Sequence, residues 1–397
     1  MSILSGAVNA YLQNASWIRR MFEAGGKLKA RFGVDNVYDF SLGNPDLPAP
    51  PAVAKALRDF ARHAEEPFAF GYMSNGGFTW AREKLAANLS KEHGMPLAVE
   101  DVILSCGAAG GINAFLRAVL NPGEEVLGIA PYFVEYGFYT ENHGGRFRTV
   151  MSRKDTFRPD AGALENAFTP NTRVVLINSP NNPTGVVYSR DDLASLVKLL
   201  ETKSLEYGKP VWLVSDEPYR FLSYDGSNPP SVLSLYPYAV CISSFSKKLS
   251  LPGERVGYVA LSPLLEEKKE VMAALNLTNR ILGFVNPPVV GQHIMAAALD
   301  SHVDIAVYAA RRKTMAETLS SAGYEFLMPE GAFYFFPKAP GGDDVAFVNE
   351  LLEERVLAVP GSGFGCPGYF RLAFCVDASV IRNATDGFAR ARQRVTA

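Results

Sequence analysis

The stretch "DVILSCGAAGGINAFLRAVL", residues 101–120, runs from a short apolar segment through a glycine-rich turn into a helical pattern. The rhythm continues on the C-terminal side. "EVLGIAPYF" (125–133), "RVVLINSPNNPTG" (173–185), "PVWLVSDEPY" (210–219), "AVCISSFSKK" (239–248) and "RVGYVALS" (255–262) are β-rich runs, and they alternate with helical stretches such as "SRDDLASLVKLLETKS" (189–204). Such alternation predicts an α/β fold with a mostly parallel sheet covered by helices. The near-continuous apolar character of the strands predicts that both sheet faces are buried. Polar or special residues stand at the ends of these strands: Gly107, Pro131, Asn182, Asp216 and Lys247. In open α/β sheets ligands sit outside the carboxyl ends of the strands, so five such residues together point to a site. The last hundred residues change character. "PEGAFYFFPKAP" (329–340) and "GYFRLAFCV" (368–376) flank a helical stretch and predict a smaller α+β domain, joined by the N-terminal segment. The expected boundaries are 1–40 for that segment, 41–285 for the large domain and 286–397 for the small one.

Composition narrows the class. Of the 397 residues, 48% are hydrophobic and 20% charged, as in ordinary globular proteins. A net charge of −2 gives no electrostatic reason to expect nucleic acid or an anionic membrane as partner. Cys106, Cys241, Cys366 and Cys375 are far apart, without a CxxC pair or a His/Cys cluster, so neither a metal site nor a disulfide framework is expected. The N-terminus lacks a basic segment followed by an apolar core, and no apolar run is long enough to span a bilayer. A cytoplasmic protein is the expectation.

The chemistry concentrates in "SSFSKKLSLPGER", residues 243–255. Two adjacent lysines at the end of a core strand read either as a solvated turn or as a reactive amine. A lysine at the mouth of a buried site loses hydration, which lowers its pKa and frees the amine for a Schiff base. Ser244 and Arg255 flank it and suit a phosphate. The pattern S-x-S-K followed by P-G-x-R-x-G (Ser244, Ser246, Lys247, Pro252, Gly253, Arg255, Gly257) resembles the lysine motif of the class I/II pyridoxal-phosphate-dependent aminotransferases of fold type I. The likeness extends from "SLGNPDLPAP" (41–50) to "GYFRLAFC" (368–375).

The resemblance implies a large domain with a seven-stranded type of sheet, a smaller α+β domain, and pyridoxal 5'-phosphate as cofactor. It implies ping-pong transfer of an amino group from an L-α-amino acid to a 2-oxo acid, in a homodimer. Lys247 would form the Schiff base and shuttle the proton, with Lys248 an ordinary exposed lysine. Asp216 would pair with the pyridinium N–H; by itself it also reads as a helix N-cap at a strand-to-helix turn. Tyr219 would bond the cofactor's phenolic oxygen, and Asn182, in an N-P-T-G turn that otherwise only reverses the chain, would lie between that oxygen and the substrate carboxylate. Glu217 receives no role. Ala108 and Ala109 would bind phosphate through backbone amides at a helix N-terminus. Many relatives carry Ser or Thr there, so more of the phosphate binding should fall on Ser244, Arg255 and Tyr72. Tyr72, in "FGYMSNGG" (70–77), is either a core tyrosine or the residue that reaches the neighbouring subunit's phosphate. Phe133 would stack on the pyridine face or belong to the core. Arg371, set among aromatics, needs an anion; it would grip the substrate α-carboxylate, with Gly43 offering backbone contact, or form a structural ion pair.

Three other readings compete with this one. A C–S β-lyase of the same fold shares the lysine motif. A non-catalytic sensor of this fold would need a DNA-binding module, for which the expected N-terminal segment leaves no room. A NAD dehydrogenase lacks the G-x-G-x-x-G fingerprint. For the donor side chain, aspartate-preferring relatives add a second cation. One such position falls on Ile281, beside Arg280, and another near Ala109, so aspartate recognition requires Arg280 to turn inward. Aromatic and aliphatic donors are equally compatible, and Phe364 and Trp17 are further candidates to line the pocket.

Overall fold

A computed structural model describes residues 3–13, 17–226 and 228–396. The chain divides into two compact units. One comprises Pro45–Ile305 with Glu330–Ala332; the other comprises the N-terminal segment to Asn44, Ala306–Pro329 and Phe333–Ala397.

The larger unit is built on a seven-stranded sheet. Its strands are β1 (Val102–Ser105), β2 (Glu125–Ala130), β3 (Arg146–Met151), β4 (Thr172–Asn178), β5 (Trp212–Asp216), β6 (Ala239–Ser244) and β7 (Gly257–Leu261). They lie in the order β1-β7-β6-β5-β4-β2-β3. The pairs along β3-β2-β4-β5-β6 are parallel, whereas β7 runs antiparallel to both β6 and β1. Every position of β1, β2, β5, β6 and β7 is buried, which accounts for their largely apolar sequences; the edge strand β3 mixes exposed and half-buried residues.

Helices cover both faces. The helix α1 (Thr79–His93) ends at Gly94 in the left-handed conformation. The helix α2 (Gly107–Val119) lies close on the sheet because Gly111 has no side chain: a Cβ there would come within 2.9 Å of Ile242 and 3.0 Å of Val259. A short helix α3 (Glu135–Glu141) follows β2. The helix α4 (Arg190–Tyr207) starts with a capping box, in which Ser189 Oγ accepts from Asp192 N–H and Asp192 Oδ2 accepts from Ser189 N–H. The single turn α5 (Phe245–Lys248) and the helix α6 (Lys268–Ile281) complete the elements needed below. Ile112, Phe115, Leu116, Val214, Ile242, Val259 and Leu275 form one apolar cluster, and its burial supplies most of the drive to seat α2 and α6 on the sheet.

In the smaller unit the strand Phe370–Ala373 lies between Val359–Pro360 and Tyr334–Phe335, antiparallel to both. Tyr38–Asp39, from the N-terminal segment, pairs in parallel with Val356–Leu357. Tyr324 packs among Phe347, Phe370 and Phe388 and donates its hydroxyl to the Phe388 carbonyl, which satisfies the one polar atom in that aromatic core. Among the described residues no helix is long and apolar enough to cross a membrane.

Candidate active site

Parallel pairing brings the carboxyl ends of β2, β4, β5 and β6 to one sheet edge; antiparallel β7 begins at that edge and returns the carboxyl end of β1 to it. Gly257, its first residue, pairs with Ser105 of β1 and with Ser244 of β6. A Cβ on Gly257 would lie 2.5 Å from the Ser243 carbonyl and 2.9 Å from the Ala108 nitrogen, so glycine is what lets three strands and the start of α2 converge. Arg255, two residues earlier, is therefore delivered to the α2 N-terminus. Gly107 has φ +70°, and a Cβ there would come within 2.7 Å of the Arg255 guanidinium.

The first N–H groups of a helix have no partner within it, and Cys106 at the N-cap makes no side-chain capping bond. The Ala108 and Ala109 amides, the buried Ser244 and the Arg255 guanidinium are thus the groups from which an anion cradle would be made, with a helix dipole of the right sign. Tyr72 is 93% exposed, which removes the core reading of that residue.

Asp216 closes β5 and is buried. The segment after it forms turns rather than a helix, so the N-cap reading is also removed. Its Oδ2 accepts from Tyr136 Oη at 2.6 Å and its backbone carbonyl accepts from Asn178 Nδ2 at 2.7 Å. Its Oδ1 is equally buried and receives no hydrogen bond. Burial pushes the carboxyl up to about 7, against the Tyr136 hydrogen bond, and the nearby Glu217 charge adds to the rise. An acceptor buried without a donor is costly, so this oxygen calls for an N–H or O–H from a bound group.

Other residues named from the sequence gather at the same edge of the larger unit. Asn182 and Tyr219 are buried in the turns after β4 and β5. Asn178 Oδ1 accepts from the Asn182 N–H at 2.7 Å, and the Asn182–Pro183 peptide is cis. Phe133, half-buried, meets Tyr136 edge-on at 5.6 Å. Lys247 is half-buried in α5.

In the smaller unit Arg371 is buried, donates to the Ser41 carbonyl, and lies 4.9 Å from the Tyr334 ring centre and 4.8 Å from that of Phe364. Gly43 is beside it: a Cβ there would collide with the Tyr334 hydroxyl. Phe364 thus clamps Arg371, and Trp17 lies against Gly363. Arg280 is exposed at the end of α6, and Ile281 is 54% exposed.

Two expectations need revision and one residue was missed. Lys248 is not an ordinary exposed lysine. Its side chain is 14% exposed and its Nζ lies 2.5 Å from Glu92 Oε1, because α5 turns it toward α1. Glu217 was given no role, yet it is buried and bonded to Ser215 and Arg220. Its carboxylate also lies near His93 and Cys241 (donor atoms within 4.8 Å of one another), but Arg220 already supplies the positive charge there. Tyr136, three residues after Phe133, is not singled out by the sequence, yet it donates to Asp216.

Comparison with known proteins follows the same lines. Residues 35–388 match the family model described as aminotransferase class I and II. The chain is 33% identical to the aspartate aminotransferase of Thermotoga maritima over 89% of its own length and 90% of that protein's. It is 31% identical to the aspartate/prephenate aminotransferase of Thermus thermophilus, covering 91% and 92% of the two chains. Among solved structures, an amino transferase from Eubacterium rectale superposes with a TM-score of 0.95 at 36% identity, covering 100% of both chains. The Thermus thermophilus aspartate aminotransferase with maleate gives 0.86 at 28% identity, covering 98% of this chain and 100% of that one. These relatives are named for amino-group transfer, which favours that outcome over C–S cleavage.

Proposed function

The chain belongs to the class I and II aminotransferase family and is an enzyme of amino-group transfer; from that premise we propose a pyridoxal-phosphate-dependent exchange between an L-α-amino acid and a 2-oxo acid, centred on Lys247. One observation carries the choice of cofactor. A buried carboxylate oxygen without a donor, Asp216 Oδ1, stands on the same sheet edge as an anion cradle. A phosphorylated ring with a protonated nitrogen fits both.

When bound, pyridoxal phosphate supplies an aldehyde that links reversibly to amines and a cationic ring that draws electrons from the substrate Cα. Asp216 keeps the proton on the ring nitrogen, since a carboxylate beside it favours the charged form. Arg255, Ser244 and the Ala108 and Ala109 amides hold the phosphate dianion. Phe133 covers a ring face by dispersion and shape, and Asn182 with Tyr219 orients the phenolic oxygen. Lys247 is the amine that would anchor the cofactor and take up the proton leaving the substrate Cα. Arg371, clamped by Tyr334 and Phe364, presents its fork to an α-carboxylate, with the Gly43 backbone alongside. Ala109 supplies no cation for a distal carboxylate and Arg280 is exposed, so the donor class is L-α-amino acids at large, the relatives' aspartate included.

The enzyme works as a homodimer in this reading. Tyr72, 93% exposed, belongs to a surface aromatic run with Phe68 at 92% and Phe70 at 61%, a patch that a second copy would cover while receiving the Tyr72 hydroxyl at its phosphate.

The test is the absorption spectrum of the purified protein, with single L-amino acids added and no oxo acid. The expected result is a visible band, lost in Lys247→Ala, that good donors bleach with release of oxo acid and no ammonia. Absence of the band even with added pyridoxal phosphate sinks the reading. Ammonia accumulating under a persistent band would instead mark lyase chemistry.

A further inference from the structure

Asp216 and Lys247 are each followed by a charged residue, Glu217 and Lys248, and these two neighbours are the ends of one network, buried at Glu217 and Arg220 and partly buried at Glu92 and Lys248. Glu217 is 2% exposed; its Oε1 accepts from Ser215 Oγ at 2.7 Å and its Oε2 from Arg220 Nη1 at 2.9 Å. Arg220, 8% exposed, donates through Nη2 to the carbonyl of Glu92 at 3.3 Å and to that of Pro229. The Glu92 carboxylate holds Lys248 Nζ. The charges alternate along the path, negative, positive, negative, positive, and all four side chains border one small cavity together with Ser243 and Ser244.

The backbone ties the same elements. The Glu217 N–H donates to the Ile242 carbonyl at 2.8 Å, Ser243 Oγ donates to the Glu217 carbonyl at 2.8 Å, and the Val303 N–H donates to the Lys248 carbonyl at 2.9 Å. The network lies across the sheet from the cofactor edge's apolar side. Trp212 and Val214, in step with Asp216, belong to the cluster under α2, whereas Ser215 and Cys241 turn to the face covered by α1.

We propose that Glu217, Arg220, Glu92 and Lys248 form a brace that fixes the end of β5 relative to α5, and so sets Asp216 against Lys247; the inference rests on the pyridoxal-phosphate reading of those two residues. None of the four touches substrate or cofactor in this account. They are positioning residues. A buried ion pair with one partner removed leaves an uncompensated charge, so the surroundings shift to recover solvation, and a shift at α5 moves Lys247. Catalysis that depends on placing an amine within reach of a Cα proton is sensitive to displacements of an ångström or less.

The experiment compares Lys248→Met, Glu92→Gln, Lys248→Arg and the swapped pair Lys248→Glu/Glu92→Lys with wild type. It reads the dissociation constant of pyridoxal phosphate from the apo protein, the position of the visible band, kcat and KM separately, and the thermal midpoint of the apo protein. Lys248→Met and Glu92→Gln are expected to weaken cofactor binding and lower kcat about tenfold or more with KM little changed. Lys248→Arg and the swapped pair should recover most of both. Combining Glu217→Gln with Lys248→Met should cost less than the two single losses together, as for residues of one network. Variants that lower only the midpoint, with cofactor affinity, band and kcat at wild-type values, overturn the brace while leaving the cofactor reading intact. A wild-type protein that takes up no pyridoxal phosphate overturns both.

Discussion

Tyr136→Phe removes one oxygen and nothing else from the core, and its consequence can be worked out from the site. The tyrosine hydroxyl donates to Asp216 Oδ2 at 2.6 Å, inside a fully buried pair. Hydrogen bonds to charged groups contribute about 1.5–3 kcal/mol, and one pKa unit corresponds to about 1.4 kcal/mol. Losing the bond therefore raises Asp216 from about 7 by roughly one to two pH units. At pH 7 the ionised fraction falls from about a half to roughly a tenth or a hundredth, so affinity for a cationic ring falls about five- to fiftyfold. The sign for the apo protein follows from linkage. The folded carboxyl titrates above its unfolded value of 3.8, so its contribution to stability is full below about pH 4 and is lost as pH rises through 7. In the variant that loss continues to about pH 8 or 9, so the thermal midpoints of the two apo proteins should diverge between pH 7 and 9. Measuring apo midpoints and cofactor dissociation constants from pH 5 to 10 checks both claims. Parallel midpoint curves with equal affinities at pH 7 would refute the assignment of Tyr136 as the group that holds Asp216 ionised.

Two further outcomes test the remaining parts of the site. Arg371→Lys keeps the charge but loses the planar stack between Tyr334 and Phe364 and the two-pronged grip, so KM for amino donors should rise at least about tenfold while the cofactor spectrum stays normal; an unchanged KM in steady-state kinetics removes Arg371 from substrate binding. Tyr72→Ala and Lys247→Ala, each impaired alone, should regain about a quarter of wild-type activity after mixing and re-equilibration, because a mixed dimer has one site complete in both residues. No recovery, with mixed dimers shown by mass, would place Tyr72 outside the partner's site.

Much of the fold was legible because its signals are local. Strands buried on both faces must be apolar throughout, and "SRDDLASLVKLL" states its own helix start through Ser189 and Asp192. The candidate site residues stand out for a different reason. Lys247, Asp216, Asn182 and Arg255 stand at strand ends, where a charged or amide side chain breaks an apolar run and is visible as an anomaly. Tyr136 was not legible. It stands among other aromatics in "PYFVEYGFYT", and only its distance to a residue 80 positions away separates it from a core tyrosine. Lys248 was misread for a related reason: an exposed and an ion-paired lysine look alike until the helix carrying Glu92 is in place.

The doublets Asp216-Glu217 and Lys247-Lys248 share one explanation. Successive side chains at the end of a strand point to opposite faces, and successive side chains in a single helical turn diverge by about 100°. A charge placed for chemistry on one side therefore brings the next residue to the other, toward the α1 side of the sheet. An apolar residue there would add burial but would fix no particular spacing between β5 and α5. A charged one must find its partner at a set distance, or else bear the cost of burial unpaired. Glu217 finds Arg220, and Lys248 finds Glu92. The two pairs meet at the Arg220 contact with the Glu92 carbonyl, so the separation of the two strand ends is set by hydrogen-bond lengths rather than by the softer fit of apolar side chains. The second lysine of the pair is thus the counterpart of the second acid, and each doublet divides into one residue for the reaction and one for its placement.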